Sequence, residues 1–231
     1  MTTVQGLWVG KLTDMEKLCM RSFLHHGFKY DLYTYAPIWD VPAGVNVLDA
    51  NAIIPREQAF LTARVLGGKT WAGFSDIFRY KMLMMKGGWW IDSDFVCLKP
   101  FDFDSDYIFT GTGTSISPGF VKVPQNDPMI KWVYEQAAPI YGPDMQWGSI
   151  SGLIEVGVRK FDLYNYKINP DWFFPVGMAE LTAKGFKSNK VDEAYAVHMW
   201  NEIWRDSSMD KDAKYDPTCL YEKWMKRYGV R

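Results

Sequence analysis

The segment Gly87-Gly88-Trp89-Trp90-Ile91-Asp92-Ser93-Asp94-Phe95-Val96-Cys97-Leu98 constrains this chain most. Two carboxylates, two residues apart, stand between two apolar runs of β-forming residues. In an extended strand they would face the same side of the sheet. Burying like charges together is costly unless a cation joins them. Hard divalent ions such as Mg²⁺ and Mn²⁺ take carboxylate oxygens and share phosphate ligands readily. The alternative, a surface turn in a hairpin, fits poorly with the apolar flanks. Asp102-Phe103-Asp104 and Asp104-Ser105-Asp106 share the spacing, but they follow Lys99-Pro100 with no apolar run behind them. They read as a solvated turn.

The rest of the chain supplies a scaffold for such a strand. Val4–Val9 reads as a first strand. Thr13-Asp14-Met15-Glu16 forms a capping box that opens a helix, and Gly27 ends it. Tyr30–Tyr35 is the next strand, completing a βαβ unit that implies parallel pairing and a right-handed crossover. Val45–Asp49 is a third strand, and residues 51–73 predict irregular structure or short helices. Ser75 is a candidate cap for a helix over Asp76–Lys86 that Gly87-Gly88 terminates. Further strands are predicted at Ile108–Thr110, Gly119–Val123, Tyr164–Ile168 and Asp171–Phe174. Helices are predicted at Pro128–Ala138, Ser149–Val156 and Leu220–Tyr228. Ala194–Trp200 precedes a loop. The alternation gives an α/β class with a mixed sheet.

Composition narrows the function. The 26 basic and 27 acidic residues nearly cancel. A dedicated nucleic-acid binder needs a basic excess, so that class is excluded. Apolar residues make up 48% of 231, which excludes a disordered chain, and one domain over residues 1–231 is the expectation. Three cysteines without paired spacing suggest reduced thiols and a cytoplasmic setting. The first residues lack the pattern of a signal peptide, and no segment approaches the roughly 18 apolar residues of a membrane span. The aromatic content, 16% with 11 Trp, exceeds what core filling usually takes. Aromatic faces also stack on bases and sugars.

Asp76 and Arg79 are three apart and so share a helix face, on a helix that leads into the Asp92 strand. His198, in Ala196-Val197-His198-Met199-Trp200-Asn201, is the natural nitrogen donor to join a two-carboxylate site. A core histidine is the plainer alternative for a residue so placed. The tail carries Tyr221, Trp224, Met225 and Tyr228 at helical spacing with basic residues between them. Such a helix can lie on an anionic membrane or dock on the protein's own core.

Together, Phe74-Ser75-Asp76-Ile77-Phe78-Arg79-Tyr80, Gly87–Asp94 and Leu98-Lys99-Pro100 resemble the DXD-containing glycosyltransferases. The resemblance is to the group with capsular-polysaccharide sugar transferases, the yeast initiating α-1,6-mannosyltransferase and the catalytic domains of large clostridial glucosylating toxins. Leu7-Trp8-Val9-Gly10, Trp172-Phe173-Phe174-Pro175 and His198-Met199-Trp200 are looser matches. The resemblance implies a GT-A fold with a Rossmann-like nucleotide-sugar half, residues 1–110, and an acceptor half, residues 111–231. It implies a nucleotide-diphosphate sugar donor, most commonly a UDP-sugar, with Mn²⁺ or Mg²⁺ and retention of anomeric configuration. Trp8, Val9 and Tyr35 would border the nucleobase. Asp76 would hold nucleoside or sugar, Arg79 the sugar or its phosphate, and Asp92 with Ser93 the ribose and sugar hydroxyls. Asp94, His198 and Asp92 would ligate the metal, and Trp200 would close on the diphosphate. Gln146 and Trp147, in a loop, are candidates for a glycan or lipid-linked acceptor. Modification of a protein side chain, or a non-catalytic nucleotide-sugar-binding module, are the alternatives.

Overall fold

The computed structural model describes residues 1–64, 66–177 and 191–231. Its centre is a six-stranded sheet built from β1 (Thr3–Leu7), β2 (Lys29–Thr34), β3 (Val45–Asp49), β6 (Gly88–Ile91), β8 (Ile108–Phe109) and β9 (Phe120–Val123). The order is β3-β2-β1-β6-β9-β8. The pairs β2–β3, β1–β2 and β1–β6 are parallel, whereas β6–β9 and β8–β9 are antiparallel. The sheet is thus mixed and mainly parallel, as the sequence implied. β4 (Thr62–Ala63) and β5 (Lys69–Thr70) form a small ribbon, and β7 (Phe95–Cys97) pairs antiparallel with β10 (Ala196–His198).

Helix α1 (Asp14–His25) starts at the predicted capping box, where the Thr13 N–H donates to Glu16 Oε2 at 2.7 Å. Helix α2 (Ala72–Lys86) begins four residues before the predicted start. Trp71, not Ser75, stands at its N-cap without a side-chain cap bond, and the Thr70 hydroxyl before it accepts from the Ala72 N–H at 3.2 Å. Helix α3 (Pro128–Ala137) is capped by Asp127. Helix α4 (Leu153–Lys160) starts late, because Ser149 and Ser151 donate back to the carbonyls of Gln146 and Gly148 and form turns instead. Two predicted strands are 3₁₀ turns, Tyr164–Tyr166 and Pro170–Trp172. Asn169 caps the second, and only a single bridge, Phe109 to Lys167, realises the local β-propensity. A short helix α5 (Asn201–Asp206) occupies the stretch expected to be a loop.

Side chains alternate across β6. Trp90 packs with Phe78, Met82 and the apolar faces of α2, α3 and α4. Trp89 packs on the other face with Phe23, Phe101 and Phe120. A third cluster joins Met15, Leu18 and Cys19 of α1 to Tyr221, Trp224 and Met225 of helix α6 (Leu220–Arg227). Tyr228 Oη donates to the Cys97 carbonyl at 2.7 Å. The aromatic face of the tail is therefore core, not the membrane-facing stripe that its pattern allowed. No helix among the described residues is long and apolar enough to cross a membrane.

Gly87 makes the turn from α2 into β6. Its φ of 64° and ψ of −162° suit glycine alone, and a Cβ there would strike the backbone of Pro124 and Gln125. Gly87→Ala should lower stability by about 1–3 kcal/mol. Gly142→Ala, where a Cβ meets nothing, should leave the thermal midpoint close to wild type. Equal midpoints for the two variants in a melting experiment would contradict this.

Candidate functional site

In an open α/β sheet, ligands bind beyond the carboxyl ends of the strands where the strand order reverses. Here the reversal lies at β1, with β2 on one side and β6 on the other. Trp8-Val9-Gly10 leaves the end of β1, and Asp92-Ser93-Asp94 leaves the end of β6. The fold therefore brings the Trp8 and Asp92–Asp94 segments to the same edge.

Asp92-Ser93-Asp94 is a turn rather than the extended strand expected, with the Phe95 N–H donating to the Asp92 carbonyl at 3.3 Å. The strand must leave the large sheet to pair with β10, and the turn makes that change. It also separates the carboxylates by partner. Asp92 Oδ1 accepts from Trp90 Nε1 at 2.7 Å and from Arg79 Nη2 at 2.6 Å. Its Oδ2 lies over Gly119, where a Cβ would come within 2.6 Å of it. The Asp92 side chain is 31% exposed, so the group stays open to a ligand.

Arg79 is 3% exposed and donates to Asp76 Oδ1 at 2.5 Å as well as to Asp92. Its guanidinium also lies over the Trp90 ring, 5.1 Å from the centroid. Burial pushes the Asp76 carboxyl up to about 6, with Asp92 adding to the rise and Arg79 only partly opposing it. Asp76 Oδ2 is buried and has no hydrogen-bond partner.

Asp94 faces the other way. Its Oδ2 accepts from the Asn201 N–H at 2.9 Å and lies 3.1 Å from His198 Nε2. The β7–β10 register sets Phe95 opposite His198, and the two rings stack at 4.6 Å. Burial works to raise the Asp94 carboxyl, but His198 and the backbone N–H groups hold it below the ordinary range. Asp94 Oδ1 and His198 Nδ1 are buried without hydrogen-bond partners. Trp200 lies against His198, ring centroids 4.3 Å apart, and its indole N–H is taken by the Val176 carbonyl. Lys211, which the sequence reading did not single out, bridges buried Glu16 at 2.5 Å and Asn201 Oδ1 at 3.0 Å, with its ammonium over the Trp8 ring.

Beyond β1 and β2 lies a cleft of about 380 Å³ lined by Trp8, Val9, Tyr35, Trp39 and Arg56, among others. Tyr35 is fixed by its hydroxyl, which donates to the Ile54 carbonyl at 2.7 Å. Arg56 was missed because it falls in the stretch read as irregular, and no motif marks it. Gln146 is exposed and Trp147 half-buried. They are tied to β4 through the Trp147 N–H, which donates to the Ala63 carbonyl at 2.9 Å, and make no hydrogen bond to Asp92 or Asp94 among the described residues.

No group of three or more His, Cys, Asp or Glu among the described residues is arranged to hold a metal ion. Two donors do come together, Asp94 and His198. A small divalent ion is commonly held by one or two protein groups and completed by substrate phosphates and water. The partnerless Asp94 Oδ1 fits that role, so the residues present suit such an ion.

The raised Asp76 carboxyl has a stability consequence. The folded state holds the Asp76 proton up to about pH 6, whereas the unfolded chain releases it near the ordinary carboxylate value. Folding therefore takes up a proton, and wild-type stability falls as pH rises through that window. Asp76→Asn should lack this fall and gain on wild type between about pH 4 and 6, read by denaturant titration across pH. A constant difference across that window would overturn the reading.

Residues 32–110 match the family model described as a glycosyltransferase sugar-binding region containing the DXD motif. No curated protein matches the sequence significantly. Among solved structures the chain is similar, over 100% of its length, to the apo-form glycosyltransferase GlyE of Streptococcus pneumoniae TIGR4, at 12% identity and a TM-score of 0.53. It covers 60% of that chain. The PaToxG glycosyltransferase is 12% identical with a TM-score of 0.49, covering 99% of this chain and 84% of that one. The matched region holds the end of β2, all of α2 and β6, and the Asp92–Asp94 turn, so this third of the chain is similar to the DXD-containing sugar-binding region, and the chain as a whole shares the fold of a solved glycosyltransferase.

Proposed function

We propose that this protein is a metal-dependent, retaining glycosyltransferase that moves a sugar from a nucleotide-diphosphate sugar, most commonly a UDP-sugar, to a glycan acceptor. One observation carries the reading. The two DXD carboxylates are engaged by different machinery, Asp92 by Arg79 and Trp90, Asp94 by His198 and the Asn201 N–H, beside an aromatic cleft. That division suits a ligand with a sugar at one end and a charged linkage beside it.

In this reading Trp8 and Tyr35 take the nucleobase. Asp92, held still by Trp90 and Arg79, accepts from sugar and ribose hydroxyls. Arg79 carries its charge at the reacting end, where the leaving diphosphate gathers negative charge. Asp94 and His198 would hold Mn²⁺ or Mg²⁺, which when bound neutralises the diphosphate as it departs. The bond from the anomeric carbon to the phosphate oxygen breaks, and its electron pair stays on the diphosphate. The acceptor hydroxyl adds from the same face, and its proton passes to the departing phosphate oxygen. The sugar carbon is oxocarbenium-like between these events. Burial of the tail's aromatic face removes the feature that pointed to a lipid-linked acceptor.

Two variants test this. Asp94→Asn keeps the shape but weakens metal ligation, and should lower metal-dependent release of nucleoside diphosphate at least about a hundredfold, the scale seen when one transition-state contact is lost. Arg79→Lys keeps a charge but cannot span Asp76 and Asp92 together, so turnover should fall by a similar factor. Both are read by diphosphate release from a panel of nucleotide-sugars with and without Mn²⁺, alongside a thermal melt. Wild-type turnover in a folded Asp94→Asn would overturn the assignment. An inverted anomer in the product would overturn retention.

A further inference from the structure

We infer that Arg64 is a positioning residue for the Asp94 carboxylate: by fastening α5 to the β4–β5 ribbon through Glu202 and Asp206, it keeps the Asn201 N–H on Asp94. The inference rests on the reading above that Asp94 and His198 hold a divalent ion. It adds a residue that is bonded to neither of them.

Asp94 Oδ2 accepts from the Asn201 N–H at 2.9 Å, and Asn201 is the first residue of α5. The direction of that bond is therefore set by where α5 lies. A helix of six residues has little stability of its own. Trp200 precedes it in the left-handed region, at φ 55° and ψ 54°, and gives it no side-chain cap. Its place must come from contacts outside the helix. Trp204 supplies the apolar anchor, buried with Tyr221 and Met225 and donating from its indole N–H to the Met199 carbonyl at 2.8 Å.

The polar anchor is Arg64 on the ribbon. Its Nε donates to Glu202 Oε2 at 3.0 Å, and its Nη2 pairs with Asp206. Glu202 and Asp206 are four apart and share a helix face, so one planar fork grips the first and last turns of α5 together. The Arg64 and Glu202 side chains are only 19% and 13% exposed, and solvent screens such a pair less than one on the open surface. Glu202 Oε1 also accepts from the Thr70 hydroxyl at 3.3 Å, and that hydroxyl in turn accepts from the Ala72 N–H at the start of α2. Helix α2 carries the Arg79 that holds Asp92. The ribbon thus ties the α2 side of the site to the α5 side.

Lys211 is the other cation that reaches Asn201, donating to its Oδ1 at 3.0 Å. It fixes the side chain of Asn201. The backbone N–H that meets Asp94 follows the helix, and Arg64 grips the helix. Groups that orient a metal ligand without touching the ion commonly change its affinity about tenfold or more.

The test is titration of Mn²⁺ alone into wild type, Arg64→Met, Glu202→Gln and the double variant, with free ion read by electron paramagnetic resonance and folding read by a thermal melt. Each single variant should bind Mn²⁺ about tenfold more weakly than wild type. The double variant should match the weaker single within about twofold, because the two residues act through one contact. Glu202→Gln keeps the shape of the side chain and carries the test alone if Arg64→Met does not fold. Affinities in the single variants within about twofold of wild type would overturn the inference. So would losses that multiply in the double variant, which marks a general loosening of the fold. In both of those cases the metal reading stands. Absence of Mn²⁺ binding by wild type would overturn that reading and this inference together.

Discussion

The buried guanidinium of Arg79 is the interaction on which the site depends. It is 3% exposed and joins Asp76 of its own helix to Asp92 of the turn after β6. A buried charge without partners would cost several kcal/mol, so the fold must bring both carboxylates to it. Trp90 completes the arrangement with its N–H on Asp92 and its ring under the guanidinium. Burying two carboxylates on one cation is not the cheapest way to build a core. Burial, with Asp92 beside it, raises the Asp76 carboxyl to about 6 even though Arg79 opposes the rise. Active sites characteristically keep such arrangements against stability.

The second carboxylate depends on the far end of the chain. Asp94 is oriented by His198 and Asn201, which lie more than a hundred residues downstream. Asn201 is bridged to Glu16 of α1 through Lys211. The ribbon β4–β5 is tied to the same short helix, where Arg64 pairs with Glu202 and Asp206. One half of the site is thus built from neighbours within α2 and β6, and the other half draws its partners from the C-terminal segment. The aromatic face of α6, buried against α1, holds that segment in place.

Local signals in the sequence were reliable where one interaction decides the outcome. The Thr13–Glu16 capping box, the three parallel strands and the Gly87-Gly88 stop all stand as read. Signals failed where a distant partner decides. Ser75 looks like a cap, yet α2 starts at Ala72 with Trp71 at its N-cap and Thr70 accepting from the Ala72 N–H. Tyr164–Ile168 has strand composition, but β8 offers it a single bridge. The Asp92–Asp94 spacing implied one shared strand face, whereas the structure has a turn there, since alternation along a strand says nothing of a strand that changes sheets. Arg56 and Lys211 carried no signal, because an isolated cation is legible only after the fold shows which rings and carboxylates surround it.

Net charge gains meaning at the same scale. The chain is nearly neutral, and most charges near the site are already spoken for. Arg79 holds two carboxylates, and Lys211 holds Glu16 and Asn201. On the proposed reading a diphosphate would meet a nearly neutral chain, so long-range attraction would contribute little to its capture. On that reading recognition would come at short range, from the ring faces of the cleft and from a cation held by Asp94 and His198. Short-range contacts of this kind depend on shape and on hydrogen-bond direction more than on charge. They discriminate between ligands of equal charge, which is what the proposed donor site would have to do among nucleoside diphosphates that carry the same phosphates.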